Sequence, residues 1–455
     1  MHKKNLYNGI LLCGLIIAGL LVAYVIPEFS VGQFSFRKVD ILSELKSAPA
    51  QLLASDTTLH LSAQDSTRLP QDSIMAVVKP RCPDNITCIE DYSADSTSLK
   101  KFLRALSQTR TNSKVLRVAF YGDSFIEGDV FCGSFRDTLQ SIFGGRGVGF
   151  VPITSSVAGF RNTIKHDFKN WRTWSLISKE PGIEIGPGCF TFHPLESNWV
   201  EYKVSRQRYL REFNLVKLYY KASDSATIQY TINEDTTLHI EELKIGETLN
   251  EWSHQQPHAK SYKLEFYPAA PVTLFGASFE TTSGLYVDNF SLRGNTGLSW
   301  RDLNDDWLKA FGEYRKYRLV ILQFGLNLLN EKSLNYPAYI KKMIAIIHKM
   351  KRAYPTADFL IISVGDRSEN VGGTMQTMNT VPKMVDAQRE IAKQAGVAFW
   401  DMYTAMGGRN SMVKYATSRP PLAAKDYTHL TFKGGKKLAG RLVKSLLYAE
   451  MMSKE

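Results

Sequence analysis

The sequence predicts an α/β domain built on a parallel sheet, split by an inserted all-β domain and preceded by a membrane-spanning helix. Three observations carry this reading. Short apolar runs at 115–121, 319–324 and 359–364 alternate with stretches of helical spacing, the rhythm of a parallel sheet covered by helices on both faces. Between 159 and 285 the apolar residues switch to a period of two, punctuated by turn residues, which reads as a sandwich or jelly roll. An uncharged apolar run occupies residues 9–26. At 1.5 Å per residue it reaches roughly 26 Å, enough to cross a hydrocarbon core.

The elements follow in order. His2, Lys3 and Lys4 precede the apolar run, so the N-terminus is expected in the cytoplasm and the rest of the chain outside it. The run ends in Tyr24-Val25-Ile26-Pro27 without an A-x-A cleavage site, which favours an uncleaved anchor over residues 1–29; a cleaved signal peptide, with secretion, is the alternative. Residues 30–112 are rich in Ser, Thr, Asp and Gln and read as a polar spacer. Export makes a short-loop disulfide between Cys82 and Cys88 reasonable. Residues 113–158 supply the first strand, a turn at Gly122-Asp123-Ser124 and a helix over about 130–143. The insert occupies 159–285. Residues 286–455 then complete the α/β domain, with helices expected over 338–354, 381–395 and 435–451.

Composition narrows the function classes. The 455 residues exceed one ordinary domain. With 44% hydrophobic and 22% charged residues, the chain is neither disordered nor a multi-spanning membrane protein. Lys plus Arg outnumber Asp plus Glu by 56 to 44, a net charge of +12, which suits anionic partners. The basic residues are dispersed, so membrane or wall polymer is expected rather than nucleic acid. Five cysteines without a CxxC pair, and histidines without ligand spacing, point to no metal and no cofactor.

Four short segments carry chemistry. Ser124 follows a strand end, where open α/β sheets bind ligands; a hydroxyl and a backbone N–H there suit nucleophilic attack and oxyanion capture. In Asp426-Tyr427-Thr428-His429 the separation of three lets a carboxylate orient an imidazole as base. Gln323-Phe324-Gly325-Leu326-Asn327 closes another strand, and its Asn amide is a candidate oxyanion donor. Arg293-Gly294-Asn295-Thr296-Gly297 is a glycine-rich turn that offers a backbone N–H.

Taken together, in this order, these blocks resemble the SGNH (GDSL-type) hydrolase superfamily over about 114–160 and 285–444. The resemblance implies a flavodoxin-like parallel sheet, with Ser124 as nucleophile, His429 as base and Asp426 as its orienter. It also implies an oxyanion hole of Ser124 N–H, Gly297 N–H and the Asn327 side chain, with Gly294 as the alternative glycine. The stretch 122–129 and the glycine cluster 145–150 are similar to the peptidoglycan O-acetylesterases, which carry a β-insert like a carbohydrate-binding module. Phe125 departs from that subgroup, which often has His there. The function expected is an extracytoplasmic serine O-acylesterase, most simply an O-acetylesterase, on acylated cell-wall glycan such as peptidoglycan. A polysaccharide O-acetyltransferase using the same residues, or a non-catalytic glycan-binding scaffold, are the alternatives. In the insert, Trp171, Trp174, Trp199 and Tyr219 are candidates either for sugar stacking or for core.

Overall fold

The computed structural model describes residues 29–31, 34–36, 82–110, 114–330 and 334–454. The apolar run 9–26 and most of the predicted spacer lie outside the described residues. No helix among the described residues is long and apolar enough to cross a membrane. The chain forms two compact units, Met1–Val78 and Lys79–Glu455. In the first, Phe29–Val31 pairs antiparallel with Phe34–Phe36. The second holds the rest of the described fold.

Its centre is a six-stranded sheet. The strands are β1 (Glu90–Asp91), β2 (Val115–Gly122), β3 (Gly284–Ser291), β4 (Leu319–Gln323), β5 (Asp358–Ile362) and β6 (Ala398–Trp400), in the order β3-β2-β4-β5-β6-β1. All neighbours are parallel except β1, which runs antiparallel to β6. Counted along the five parallel strands the order is 2-1-3-4-5, the flavodoxin-like arrangement, whose direction reverses between its first and third strands. Strands β4 and β5 are buried at every position, as expected for strands covered on both faces, and this explains why they read as unbroken apolar runs.

The long helices are α1 (Lys100–Thr109), α2 (Cys132–Phe143), α3 (Asp305–Arg315), α4 (Pro337–Ala353) and α5 (Thr380–Ala395). Two short ones follow, α6 (Met402–Met406) and α7 (Ser411–Thr417), before α8 (Phe432–Met452). Each of the long helices buries one apolar stripe. On α4 it is Tyr339, Met343, Ile346, Ile347 and Met350, spaced by three and four as a helix packed on a sheet requires.

The predicted spacer is too long at its C-terminal end. Residues 82–110 belong to the α/β body. Cys82 and Cys88 form a disulfide with Cα atoms 5.9 Å apart, β1 extends the sheet, and α1 buries Phe102, Leu103 and Leu106. The Phe102 N–H donates to Asp358 Oδ2 at 2.8 Å, and the Trp400 indole donates to the Thr87 carbonyl at 3.0 Å.

The insert consists of nine antiparallel strands. Its hydrogen-bonded path runs His239–Glu242, Thr227–Ile232, Ser261–Tyr267, Phe190–Val204, Val272–Glu280, Phe213–Ala222 and Gly246–Ala259. Gly149–Val151 adds to Val272–Glu280, and Ile164–Ser175 to Phe190–Val204. The strands thus form one connected network rather than two separate sheets. The insert also starts earlier and ends earlier than 159–285: Gly149–Val151 already pairs within it, and Gly284 opens β3.

Strand Phe213–Ala222 shows how the two parts join. Val216, Leu218 and Tyr220 face the insert's own core, whereas Tyr219 lies in the core of the α/β body. Val272–Glu280 does the same, with Leu274 and Phe279 on one side and Phe275 on the other. Both strands therefore read as apolar on two faces. Of the four candidate stacking aromatics, Trp174 and Tyr219 are buried in the body's core and are structural.

A polar cluster is sealed into this junction. Arg315, at the end of α3, pairs with Asp288 of β3 at 2.5 Å and with Glu280 of the insert at 2.6 Å. Arg117 of β2 meets Glu280 at 2.5 Å. Arg315 also donates to Tyr219 at 3.1 Å and Ser278 at 3.0 Å, and Tyr317 donates to Asp288 at 2.7 Å. Burial alone raises the Glu280 carboxyl, but Arg117 and Arg315 outweigh it and hold the group below its usual range. Two cations and two anions balance.

Candidate active site

Ser124 is the second residue past the end of β2, beside the point where the sheet order reverses. The strand can turn there because Gly122 has no side chain: a Cβ would lie 2.9 Å from the Gln323 carbonyl of β4 and 2.8 Å from Ile126. Asp123 is fully buried, and its carboxylate accepts from the Phe125 N–H at 2.9 Å. The Ser124 carbonyl accepts from Glu127 N–H at 3.3 Å, starting a 3₁₀ turn over Glu127–Asp129. Helix α2 follows only at Cys132, so the serine precedes a tight turn instead of opening the helix directly.

The loop before α8 supplies the partners. Thr431 caps that helix by accepting from Gly434 N–H at 3.3 Å. Ahead of the cap, Asp426 Oδ1 accepts from the backbone N–H groups of Thr428 and His429, both at 3.0 Å. Its Oδ2 is 2.7 Å from His429 Nδ1. Across the cleft, His429 Nε2 lies 3.0 Å from Ser124 Oγ. Partial burial raises the Asp426 carboxyl. The His429 ring and the His429 and Thr428 N–H groups outweigh that and keep it below its usual range, and so ionised. Side-chain exposures of 40% for His429 and 49% for Asp426 leave the pair open to water.

The remaining blocks also converge. Asn327 stands on the 3₁₀ turn Leu326–Leu328 after β4. Its amide donates to the Asn295 carbonyl at 3.1 Å and lies 3.5 Å from Asp123 Oδ2; the second contact is long enough to leave that N–H available. The two candidate glycines, Gly297 and Gly294, differ. The Gly297 N–H donates to Asn295 Oδ1 at 2.8 Å, and the residue is buried. Gly294 is exposed with φ +77°. Its N–H and that of Ser124 have no hydrogen-bond partner among the described residues.

Asn295, to which the glycine-rich turn assigns no role, organises this part of the site. It is buried, its Oδ1 holds both the Gly297 N–H and the Ser299 hydroxyl (2.9 Å), and its carbonyl holds Asn327. An Asn between two glycines in a turn was the available signal, because such a side chain closes an Asx turn on the backbone two residues on.

Burial pushes the Asp123 carboxyl up to about 7, opposed by the N–H groups of Phe125 and Leu326. The folded protein then holds a proton there that the unfolded chain has released above about pH 4. Stability is expected to fall as pH rises from 4 to 7, by an upper bound of roughly 4 kcal/mol from this group. Asp123→Asn should flatten that part of the pH profile of thermal unfolding. An unchanged slope in the variant would show that Asp123 ionises normally.

No protein-family model matches the chain, and no curated protein matches it in sequence. Among solved structures, a peptidoglycan O-acetylesterase aligns over 80% of this chain and 99% of its own, at 21% identity and a TM-score of 0.65. A putative GDSL-like lipase from Parabacteroides merdae covers 36% of this chain and 73% of its own, at 14% identity and a TM-score of 0.29. An acetyl xylan esterase covers 35% and 81%, at 13% identity and a TM-score of 0.28. The last two overlap too loosely to bear on this chain. The first likeness spans both the α/β body and the insert. At 21% identity that likeness establishes a shared fold.

Proposed function

We propose that the protein is an extracytoplasmic serine O-acetylesterase acting on acylated cell-wall glycan, with O-acetylated peptidoglycan as its substrate. The observation that carries this reading is the chain Ser124 Oγ–His429 Nε2–Asp426, with separations of 3.0 and 2.7 Å. His429 takes the Ser124 proton as the oxygen attacks the acetyl carbonyl, and Asp426 holds the imidazolium that forms. The oxyanion meets the N–H groups of Ser124 and Gly294 and the Asn327 amide. His429 then protonates the departing sugar oxygen, and water releases acetate from the acyl-serine by the reverse sequence. The openness of His429 and Asp426 favours water over a second sugar as acceptor.

Three features support the wall as the place of action. Lys165 and Arg206 are exposed beside Arg161 in one cleft, a basic surface suited to carboxylates on a glycan-linked peptide. The Cys82–Cys88 disulfide fits an oxidising compartment, and the apolar run 9–26 supplies a membrane anchor that leaves the hydrolase outside the cytoplasm. Purified protein is expected to release acetate from O-acetylated peptidoglycan. Acetylated sugar formed in place of free acetate when an acceptor is added would instead favour transfer. Asn327→Ala should cost on the order of 10²–10³ in kcat, the usual loss for one oxyanion donor. A loss confined to KM would mean that Asn327 only binds.

A further inference from the structure

Phe160 lies outside the hydrogen-bonded site and has no part in the steps above, yet it touches both segments that carry them. Its ring stacks on Phe432 with centroids 5.1 Å apart and planes 28° from parallel. Phe432 is three residues past His429 and begins α8. The same ring covers Gly128, four residues past Ser124: a Cβ at Gly128 would lie 2.6 Å from Phe160 Cδ1. Gly128, with φ +64°, leaves room for the ring to approach this closely. Even so, 57% of Phe160 is exposed.

The backbone on either side of the ring is tied down. The N–H groups of Phe160 and Arg161 both donate to the Val157 carbonyl, at 3.0 and 2.9 Å. The next side chain, Arg161, pairs with the buried Asp129 carboxylate at 2.8 Å. Asp129 also takes Arg136 at 3.1 Å and the Asn289 amide at 2.8 Å. An exposed aromatic ring packed on residues that closely follow Ser124 and His429 in the chain suits a ligand that is itself flat and partly apolar. The C–H face of a pyranose fits, because polarised C–H groups meet the negative face of an aromatic ring.

We infer that Phe160, braced by Phe432 and Gly128, is a stacking subsite for a pyranose ring of the acylated glycan, beside the Ser124–His429 pair. The inference rests on the esterase reading of that pair and specifies what positions its polymer. Binding energy from a sugar ring that does not react is then used to place the acetyl group at Ser124.

The test compares kcat/KM for an O-acetylated glycan with kcat/KM for a small aryl acetate, in the wild type, Phe160→Ala and Phe160→Tyr. Phe160→Ala should lower the glycan-to-aryl ratio about tenfold, through KM, by analogy with the worth of other aromatic contacts. Phe160→Tyr keeps the face and should restore the ratio to within about twofold. An unchanged ratio, or an equal loss on both substrates, overturns the subsite and makes Phe160 a strut for the Gly128 turn. If the wild type hydrolyses neither substrate, it is the esterase reading that fails. Retention of the full chain on insoluble acetylated glycan then decides the subsite alone: reduced retention for Phe160→Ala supports it, and equal retention overturns it.

Discussion

Ser124→Ala should lose on the order of 10⁶ in kcat for acetate release, which is the scale seen when the nucleophile of a serine hydrolase is removed. The expectation follows from geometry. Ser124 Oγ is the atom that His429 Nε2 faces at 3.0 Å, and no covalent intermediate forms without it. The backbone should be undisturbed, since the turn is held by Asp123 accepting from Phe125 N–H and by the Ser124 carbonyl accepting from Glu127 N–H. Thermal unfolding of the variant should therefore match the wild type. Steady-state acetate release is the measurement; a variant within tenfold of wild type would remove Ser124 from the mechanism. Asp426→Asn should cost less than Ser124→Ala, because Asp426 is half exposed and water can take part of its place.

The largest effect on stability is expected at the junction of the insert and the α/β body. Arg315 is completely buried and serves Asp288, Glu280, Tyr219 and Ser278 together. Arg315→Ala leaves Glu280 to Arg117 alone and Asp288 with the Tyr317 hydroxyl and the Phe150 N–H. Breaking a buried pair from one side typically costs about 3–5 kcal/mol, mostly from the uncompensated charge. Urea unfolding should show a fall of that size. Activity on a small aryl acetate should survive in the fraction that stays folded, since none of these groups touches Ser124. A loss below about 1 kcal/mol would mean that water or a neighbouring group takes over the carboxylates.

Much of this architecture is legible in the sequence. The runs of β2, β4 and β5 announced a parallel sheet because they are apolar on both faces, and the inserted domain announced itself by a change of period. Other parts leave little trace in the sequence, for specific reasons. Helix α1 and the Leu99 just before it place Leu99, Phe102, Leu103 and Leu106 at the spacing of one buried helical face, but a long Ser- and Thr-rich stretch ahead of it dilutes that signal. Gly149–Val151 is three residues long, too short to show any period. Strands facing two cores at once, such as Phe213–Ala222, carry no mark of which residue faces which.

The site was legible to a similar depth. Ser124, Asp426, His429 and Asn327 come together because each closes a strand or opens a helix at the same edge of the sheet. The glycine was harder. Gly294 and Gly297 are three apart in one turn, and which of their N–H groups stays free depends on the Asn295 side chain, a hydrogen bond that spacing does not encode. Phe160 was invisible as a site residue, because its partners Gly128 and Phe432 are distant in sequence and meet only in the folded chain.

The most direct test of a nucleophilic serine is covalent. Full-length protein treated with a fluorophosphonate and digested for mass spectrometry should carry a single adduct, on the peptide containing Ser124. The same treatment should leave His429→Ala almost unlabelled, since without the imidazole the hydroxyl is not activated. Labelling at another serine, or no labelling of a folded wild type, would contradict a Ser124-centred esterase.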